Sequence, residues 1–332
     1  MGKYFGTNGV RGKFDFLTPE LAMEIAKAIG VYFKRGRIII ARDARLTGEC
    51  LSYAVFSGLQ SVGCDVIDLD YASAPAAEFM VKELKADGLI IITASHNPPE
   101  WNALKVVDRN GITISSERAV DIEKLIGNCE NVGWEKVGTL KRADYVPITN
   151  DYIETILKHV DKEKIIAKKP KIVLDYGNGT AVIAAPVLFG RLDCEIVGIN
   201  EKMDGRFPGR HSEPTKDNVK ELIERVKKEK ADCGIAWDGD ADRVIFVDEK
   251  GEYVVGDKVF ALSVLWKLSG AKKINSASIV TTVATSKAAE DVAARFGAKT
   301  IYTKIGAPYL SEEMAKGKAI IGGEEVGGVI WP

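Results

Sequence analysis

Two stretches of this chain, Arg37–Ala41 (R-I-I-I-A) and Gly88–Thr93 (G-L-I-I-I-T), are apolar at successive positions rather than at alternate ones. A strand with one wet face alternates apolar and polar side chains, so an unbroken apolar run marks a strand covered on both faces. Such strands belong to parallel sheets, whose crossover connections lay helices on either side. The segments between the runs have helical character. Thr18-Pro19-Glu20 reads as an N-cap followed by proline at the first helical position, and the helix runs to about Phe33 with Leu21, Ile25, Ala28 and Ile29 on one face. Helices are also predicted over Glu49–Val62 and Ala76–Leu84, with a further strand over Cys64–Leu69.

The same rhythm restarts twice. The second round has strands at Lys171–Leu174, Glu195–Ile199 and Cys233–Trp237, an apolar helix from Ala181 and a charged amphipathic helix over Asp217–Lys230. The third has strands at Val244–Val247, Ala277–Val283 and Lys299–Tyr302, with helices near Asp257–Leu268 and Lys287–Phe296. Three rounds predict an α/β chain of three consecutive related domains with mixed, largely parallel sheets, spanning residues 1–146, 147–250 and 251–332. Ligands of α/β sheets gather at the C-terminal ends of the strands, and the active site is expected there.

Composition excludes several other classes. With 46% hydrophobic residues, and 46 basic against 47 acidic side chains, the chain is neither disordered nor built around a large basic nucleic-acid surface. The five cysteines, Cys50, Cys64, Cys129, Cys194 and Cys233, are scattered and form no C-x-x-C pair, so they read as reduced thiols. The N-terminus has no apolar signal region and no apolar run is long enough to span a bilayer. A cytoplasmic protein that binds neither nucleic acid nor membrane is expected, and a homo-oligomer is compatible with the pattern.

Asp238-Gly239-Asp240-Ala241-Asp242-Arg243 is the most informative local string. Three carboxylates at alternate positions offer hard oxygen ligands suited to Mg²⁺ or Ca²⁺. An EF-hand is excluded, since Arg243 stands where the loop needs glycine and Val244–Val247 reads as a strand where a helix should begin. The bland alternative is a solvated acidic turn, but carboxylates packed this tightly repel one another without a cation. Thr93-Ala94-Ser95-His96-Asn97-Pro98-Pro99 follows directly on a buried strand and presents a serine hydroxyl at its end. Taken alone, that string is equally a capping loop. Phe5-Gly6-Thr7-Asn8-Gly9-Val10-Arg11-Gly12 and Gly322-Gly323-Glu324-Glu325-Val326-Gly327-Gly328 are glycine-rich loops, one carrying Arg11 and the other two carboxylates. The first suits phosphate oxygens and the second sugar hydroxyls. Lys304-Ile305-Gly306-Ala307-Pro308 is a further loop at a strand end.

In this order, F-G-T-N-G-V-R-G, T-A-S-H-N-P-P-E, D-G-D-A-D-R and G-G-E-E-V-G-G resemble the α-D-phosphohexomutase family over the whole chain, and within it the phosphoglucosamine mutase and phosphomannomutase/phosphoglucomutase branches. The resemblance implies an active site in the cleft between the three domains, where Ser95 carries a phosphoryl group and, with Asp238, Asp240 and Asp242, holds Mg²⁺. It implies interconversion of hexose 6-phosphate and hexose 1-phosphate, with a hexose 1,6-bisphosphate as intermediate and activator. Lys105 and Arg11 are then the candidates for moving the hydroxyl proton. Lys is the easier base, because burial beside another cation lowers its pKa. Glu324, Val326, Gly306 and Arg243 are candidate substrate contacts, and His96, Asn97 and Arg42 candidate supports.

Three departures from the family pattern stand out. Val326 replaces the usual Ser or Asn, Ala103-Leu104 replaces a glycine-containing pair before Lys105, and the chain stops at Ile330-Trp331-Pro332 with no R-x-S-G-T-E-P-like string. The family's fourth domain is therefore expected to be absent. Two alternatives to an active mutase remain open at this point: a truncated, non-catalytic phosphosugar-binding module, and a Mg²⁺-dependent phosphatase with an aspartate nucleophile.

Overall fold

The computed structural model describes residues 3–6, 9–270, 277–317 and 319–331. Thr7 and Asn8 of the first glycine-rich motif, and the terminal Pro332, lie outside the described residues. The chain forms three α/β units, each with a mixed, mostly parallel sheet.

The first sheet contains β1 (Phe5–Gly6), β2 (Gly9–Lys13), β3 (Arg37–Arg42), β4 (Asp65–Tyr71), β5 (Gly88–Ile92), β6 (Trp101–Asp108) and β7 (Leu140–Arg142), in the order β1-β2-β6-β5-β3-β4-β7. Helices α1 (Pro19–Tyr32), α2 (Gly48–Ser61), α3 (Ala74–Glu83) and α4 (Ser116–Glu123) cover it. The unbroken apolar runs have the cause anticipated for them. Ile38, Ile40, Ile90 and Ile92 pack under α1 and α2, while Ile39, Ala41, Leu89 and Ile91 face α3 from the opposite side. Thr18 caps α1 by accepting the Leu21 N–H, with Pro19 at the helix start.

The first glycine-rich motif, read as a loop, forms strands, and the segment around Lys105 is a strand as well. The glycine-rich N-terminal motif contributes β1 and β2, and the stretch carrying Lys105 is β6, antiparallel to both β2 and β5. The pairing sets Arg11 opposite Ala103, and Ala103 and Leu104 are fully buried, so the apolar pair before Lys105 fills the sheet rather than shaping a loop.

Helices α5 (Tyr145–Leu157) and α6 (Lys162–Lys168) lead into the second sheet. It comprises β8 (Lys171–Asp175), β9 (Glu195–Ile199), β10 (Cys233–Trp237), β11 (Val244–Asp248) and β12 (Tyr253–Val254), in the order β12-β11-β10-β8-β9. Helix α7 (Ala181–Arg191) packs on Ile172, Leu174 and Ile235, and α8 (Lys220–Glu229) on Val173 and Ala236 from the other face. In the third unit, α9 (Gly256–Ser269), β13 (Ser278–Thr282), α10 (Ala288–Arg295), β14 (Lys299–Thr303), α11 (Ala307–Ala315), β15 (Ala319–Gly323) and β16 (Val329–Ile330) build a sheet of order β14-β13-β15-β16. Again α9 and α10 cover one face through Ile279 and Ile321, and α11 the other through Val280.

Candidate functional site

The serine loop leaves the C-terminal end of β5 and the acidic loop leaves the C-terminal end of β10, joining it to β11. The fold brings the two together. Ser95 Oγ donates to Asp238 Oδ2 at 2.5 Å and lies 3.5 Å from Asp242 Oδ1. The first unit also meets the acidic loop through its backbone, since the Ala74 N–H at the start of α3 donates to the Asp240 carbonyl at 2.8 Å. Thr93 Oγ1 stands 2.7 Å from Asp43 Oδ2 and 3.1 Å from Asp240 Oδ2, and it accepts the Ser95 N–H at 2.9 Å. Ser95 sits at φ +52°, a left-handed conformation that serine adopts only when its surroundings enforce it.

Oxygen atoms of Asp238, Asp240 and Asp242 lie within 4.8 Å of one another. Asp238 and Asp240 are fully buried, while Asp242 reaches solvent. Burial drives the Asp238 carboxyl well above the ordinary carboxylate range, and its like-charged neighbours Asp242 and Asp240 push the same way. Asp240 goes the other way. Burial opposes its ionisation, but the Lys105 ammonium at 2.7 Å outweighs that and holds it at about 2. One oxygen of Asp240, Oδ1, is buried with no hydrogen-bond partner among the described residues. An orphaned acceptor among three converging carboxylates fits a hard cation with oxygen ligands.

Lys105, projecting from β6, is buried and bridges Asp240 and Asp242 at 2.7 and 3.0 Å. Burial alone would lower its pKa, yet the two carboxylates reverse this and raise it above the ordinary lysine value. This corrects the expectation of a lysine made basic by a neighbouring cation: its contacts here are anionic, and it is held protonated.

Arg11 on β2 donates to the Asn97 side chain, linking the N-terminal hairpin to the serine loop. Burial lowers its pKa, with Asp240 pulling in the opposite sense. His96 Nδ1 is 3.3 Å from Ser95 Oγ, and burial, helped by Arg243, depresses the imidazole to about 4, so the ring is neutral at pH 7. Arg243 donates its backbone N–H to Asp238 Oδ1 at 3.1 Å and its Nη1 to Glu213 Oε1 at 3.0 Å.

From the third unit, Glu324 is 9% exposed, and burial raises its carboxyl while Arg243 draws it down. Glu324 therefore shares the electrostatic field of Arg243 and Asp242, whereas Glu325 accepts from the hydroxyls of Thr282 and Thr285. Val326 is 38% exposed, and Gly306 caps the start of α11 at φ +130°. Among the described residues, no hydrogen bond joins Gly306 or Val326 to the serine or acidic loops.

Arg42, expected as a support, instead pairs with Asp70 at 2.7 Å and stacks 3.9 Å over Tyr71, lining a 440 Å³ cleft with Arg142 and Met203. The supporting role falls to Arg45, which sequence reasoning missed. Its guanidinium has five N–H donors, and all five are used. Nε meets Asp43 Oδ2 at 3.0 Å, Nη1 the Pro98 and Trp101 carbonyls at 2.5 and 2.8 Å, and Nη2 the Ser95 and Asn97 carbonyls at 2.8 and 2.7 Å. Both arginines stand in Arg42-Asp43-Ala44-Arg45, at the end of β3, and a choice between them needed the direction each takes there. Ser212 and Thr93 were missed as well, because a lone hydroxyl in a loop has no distinguishing pattern.

Three family models, described as phosphoglucomutase/phosphomannomutase alpha/beta/alpha domains I, II and III, match residues 2–132, 150–251 and 255–332. The chain is 42% identical along its whole length to a phosphoglucomutase/phosphomannomutase of Thermococcus kodakarensis, of which it covers 73%. It is 40% identical to a phosphoglucosamine/phosphogalactosamine mutase of Sulfurisphaera tokodaii, again covering 73%. A crystal structure of a phosphoglucomutase/phosphomannomutase family protein from Burkholderia thailandensis matches 98% of this chain with 71% of its own, at a TM-score of 0.85 and 26% identity.

Proposed function

Because this chain belongs to the phosphoglucomutase/phosphomannomutase family, we propose that it interconverts hexose 6-phosphate and hexose 1-phosphate by way of a phosphoryl group carried on Ser95. The observation that carries the reading is the 2.5 Å contact between the Ser95 hydroxyl and Asp238, which sets a nucleophilic oxygen against a three-carboxylate cluster from another unit of the fold.

Phosphoryl transfer calls for positioning and charge compensation more than for covalent machinery. In the first half-reaction a hydroxyl of the hexose monophosphate attacks the phosphorus on Ser95. A sugar O–P bond forms as the Ser95 Oγ–P bond breaks, giving a hexose 1,6-bisphosphate. After the bisphosphate reorients, Ser95 Oγ attacks its other phosphoryl group, and the isomeric monophosphate leaves. Each transfer removes one proton from the attacking hydroxyl and returns one to the departing oxygen. We assign this traffic to Lys105, which contacts the acidic loop, together with Arg11, which contacts the serine loop. Lys105, held protonated, gives its proton to the departing oxygen and, as the amine so formed, takes the proton of the attacking hydroxyl, while Arg11 stays charged beside the serine loop. Neutral His96 supports the Ser95 hydroxyl, and Asn97 holds Arg11.

Asp238, Asp240 and Asp242, with Ser95, are the residues that would hold Mg²⁺. Bound there, it supplies the charge neutralisation that a transferring phosphoryl group needs. Arg243 is assigned to substrate phosphate, Glu324 to sugar hydroxyls, and Gly306 and Val326 to the wall of the sugar site. Val326 brings no polar group of its own, so we propose that Glu324 carries the hydroxyl recognition. The five cysteines are unpaired, which agrees with the cytoplasmic location we propose.

Incubating the chain with glucose 1,6-bisphosphate and Mg²⁺ and measuring intact mass tests the reading. One added phosphoryl group, mapped to Ser95 and discharged by glucose 6-phosphate, is expected. A wild-type chain that never gains it would overturn the proposal. Phosphoryl acceptance that survives in Ser95→Ala but fails in Asp238→Ala would favour an aspartate nucleophile.

A further inference from the structure

The Ser95 carbonyl oxygen accepts two hydrogen bonds, from Arg45 Nη2 at 2.8 Å and from Ser212 Oγ at 2.9 Å. The same Ser212 oxygen accepts the backbone N–H of Gly239 at 2.9 Å. A hydroxyl has one proton to give, and a carbonyl has none, so the directions are fixed: Ser212 donates to Ser95 and receives from Gly239. Ser95 belongs to the first unit of the fold, whereas Ser212 and Gly239 belong to the second, and Gly239 stands between Asp238 and Asp240. A single hydroxyl, in a residue 4% exposed, therefore ties the backbone of the serine loop to that of the acidic loop.

The tie is rigid at both ends. The Ser212 carbonyl accepts from Arg210 Nη1 at 3.1 Å, and the same guanidinium is fixed to Asp175 Oδ2 and to the Trp237 carbonyl, both at 2.6 Å. Trp237 is the residue before Asp238, so Ser212 and the acidic loop share one anchor. On the other side the two bonds fix the direction of the Ser95 carbonyl, in a residue whose φ is +52°. The approach is close enough to require glycine between the aspartates: a Cβ on Gly239 would meet Ser212 Oγ at 2.9 Å and the Ser95 carbonyl oxygen at 3.0 Å.

We propose that Ser212 is a positioning residue that sets the register between the Ser95 hydroxyl and the acidic triad. The inference rests on the reading of Ser95 as the phosphoryl carrier. It assigns to Ser212 neither substrate contact nor proton transfer. Removing the hydroxyl leaves the Gly239 N–H buried without a partner and the Ser95 carbonyl with one donor instead of two, so the two loops lose their shared reference while the rest of each unit stays packed.

Ser212→Ala and Ser212→Thr test this. With glucose 1,6-bisphosphate and Mg²⁺, the maximal rate of Ser95 phosphorylation should fall about tenfold in Ser212→Ala, the size expected when a buried hydrogen-bonded group loses its partner. The half-saturating bisphosphate concentration should stay unchanged and Tm should fall by no more than about 3 °C. Ser212→Thr keeps the hydroxyl and should recover most of the rate. A Ser212→Ala rate within twofold of wild type overturns the proposal, and so does a Ser212→Thr rate as low as that of Ser212→Ala.

A calorimetric Mn²⁺ titration reads the same register without any phosphoryl transfer. Binding weakened in Ser212→Ala and restored in Ser212→Thr upholds the tie, and equal binding in all three proteins counts against it. A wild-type chain that binds Mn²⁺ yet is never phosphorylated defeats the mutase reading, and the metal titration then decides the role of Ser212 on its own.

Discussion

Ser95 Oγ and Asp238 Oδ2 stand 2.5 Å apart although 143 residues separate them along the chain and they rise from different sheets. A contact of this length between a hydroxyl and a buried carboxyl is an oriented hydrogen bond. It aims the serine oxygen into the space bounded by the three aspartates. Ser95→Ala removes that oxygen and little else, since the loop's backbone is held by Arg45 and Thr93. Phosphoryl acceptance from the bisphosphate should fall below detection, at least about 10³-fold, while Tm moves by only a few degrees. Intact mass and thermal melting on the same sample measure both.

Lys105 is the cation on which the acidic cluster depends in this structure, with its side chain 6% exposed and Asp240 fully buried. Cutting one partner from such a pair leaves an uncompensated buried charge, which typically costs about 3 kcal/mol or more. Lys105→Met should lower stability by that order in urea denaturation with EDTA present. The double variant Lys105→Met/Asp240→Asn should recover a large part of the loss, because it removes the stranded charge as well. A single-variant loss below about 1 kcal/mol would mean that water already screens the cluster.

The pH dependence has an identifiable contributor on α3. Burial raises the Glu78 carboxyl to about 8, with Lys105 pulling it down and Asp242 and Asp240 pushing it up. An acid whose folded pKa lies above its unfolded value of 4.5 binds its proton more tightly when folded. Between pH 4.5 and 8 the folded state therefore holds more protons, and the Glu78 contribution to stability declines as pH rises through that window. Glu78→Gln should match wild type in Tm near pH 5 and exceed it near pH 8, both measured in EDTA. A difference that does not change with pH would remove Glu78 from the account.

How much of this was readable beforehand depended on whether the signal was periodic or spatial. The two-faced strands β3 and β5 were legible because burial on both sides leaves an unbroken apolar run. The acidic and serine loops were legible because their residue types crowd into a few positions. The hairpin of β1 and β2 was not: its glycines read as a loop, and its partner β6 supplies the pairing from about ninety positions further on. Lys105 was picked out, but its protonation follows from Asp240 and Asp242, which only the folded chain brings beside it. Arg45 was passed over for Arg42 because the two bracket the same short string, and only the fold turns Arg45 to the carbonyls of residues 95–101 and Arg42 to Asp70 and Tyr71.

Cation binding should be visible in stability alone. Asp240 Oδ1, buried and unpartnered among the described residues, and the burial and like-charge repulsion that raise Asp238 are costs of the metal-free cluster, and a divalent ion offsets them. A ligand that binds the folded state adds RT ln(1 + [L]/Kd), about 2.7 kcal/mol at a hundredfold excess over Kd. Tm should therefore climb with MgCl₂ and level off, whereas NaCl at matched ionic strength, which screens but does not ligate, should give only a small, unsaturating change. Asp242→Asn is the informative variant, because Asp242 is the most exposed of the three and its loss should cost the least folding stability. If the rise comes from coordination, Asp242→Asn flattens it while leaving the NaCl response as in wild type. If the rise is general screening, the two salts act alike and the substitution changes neither.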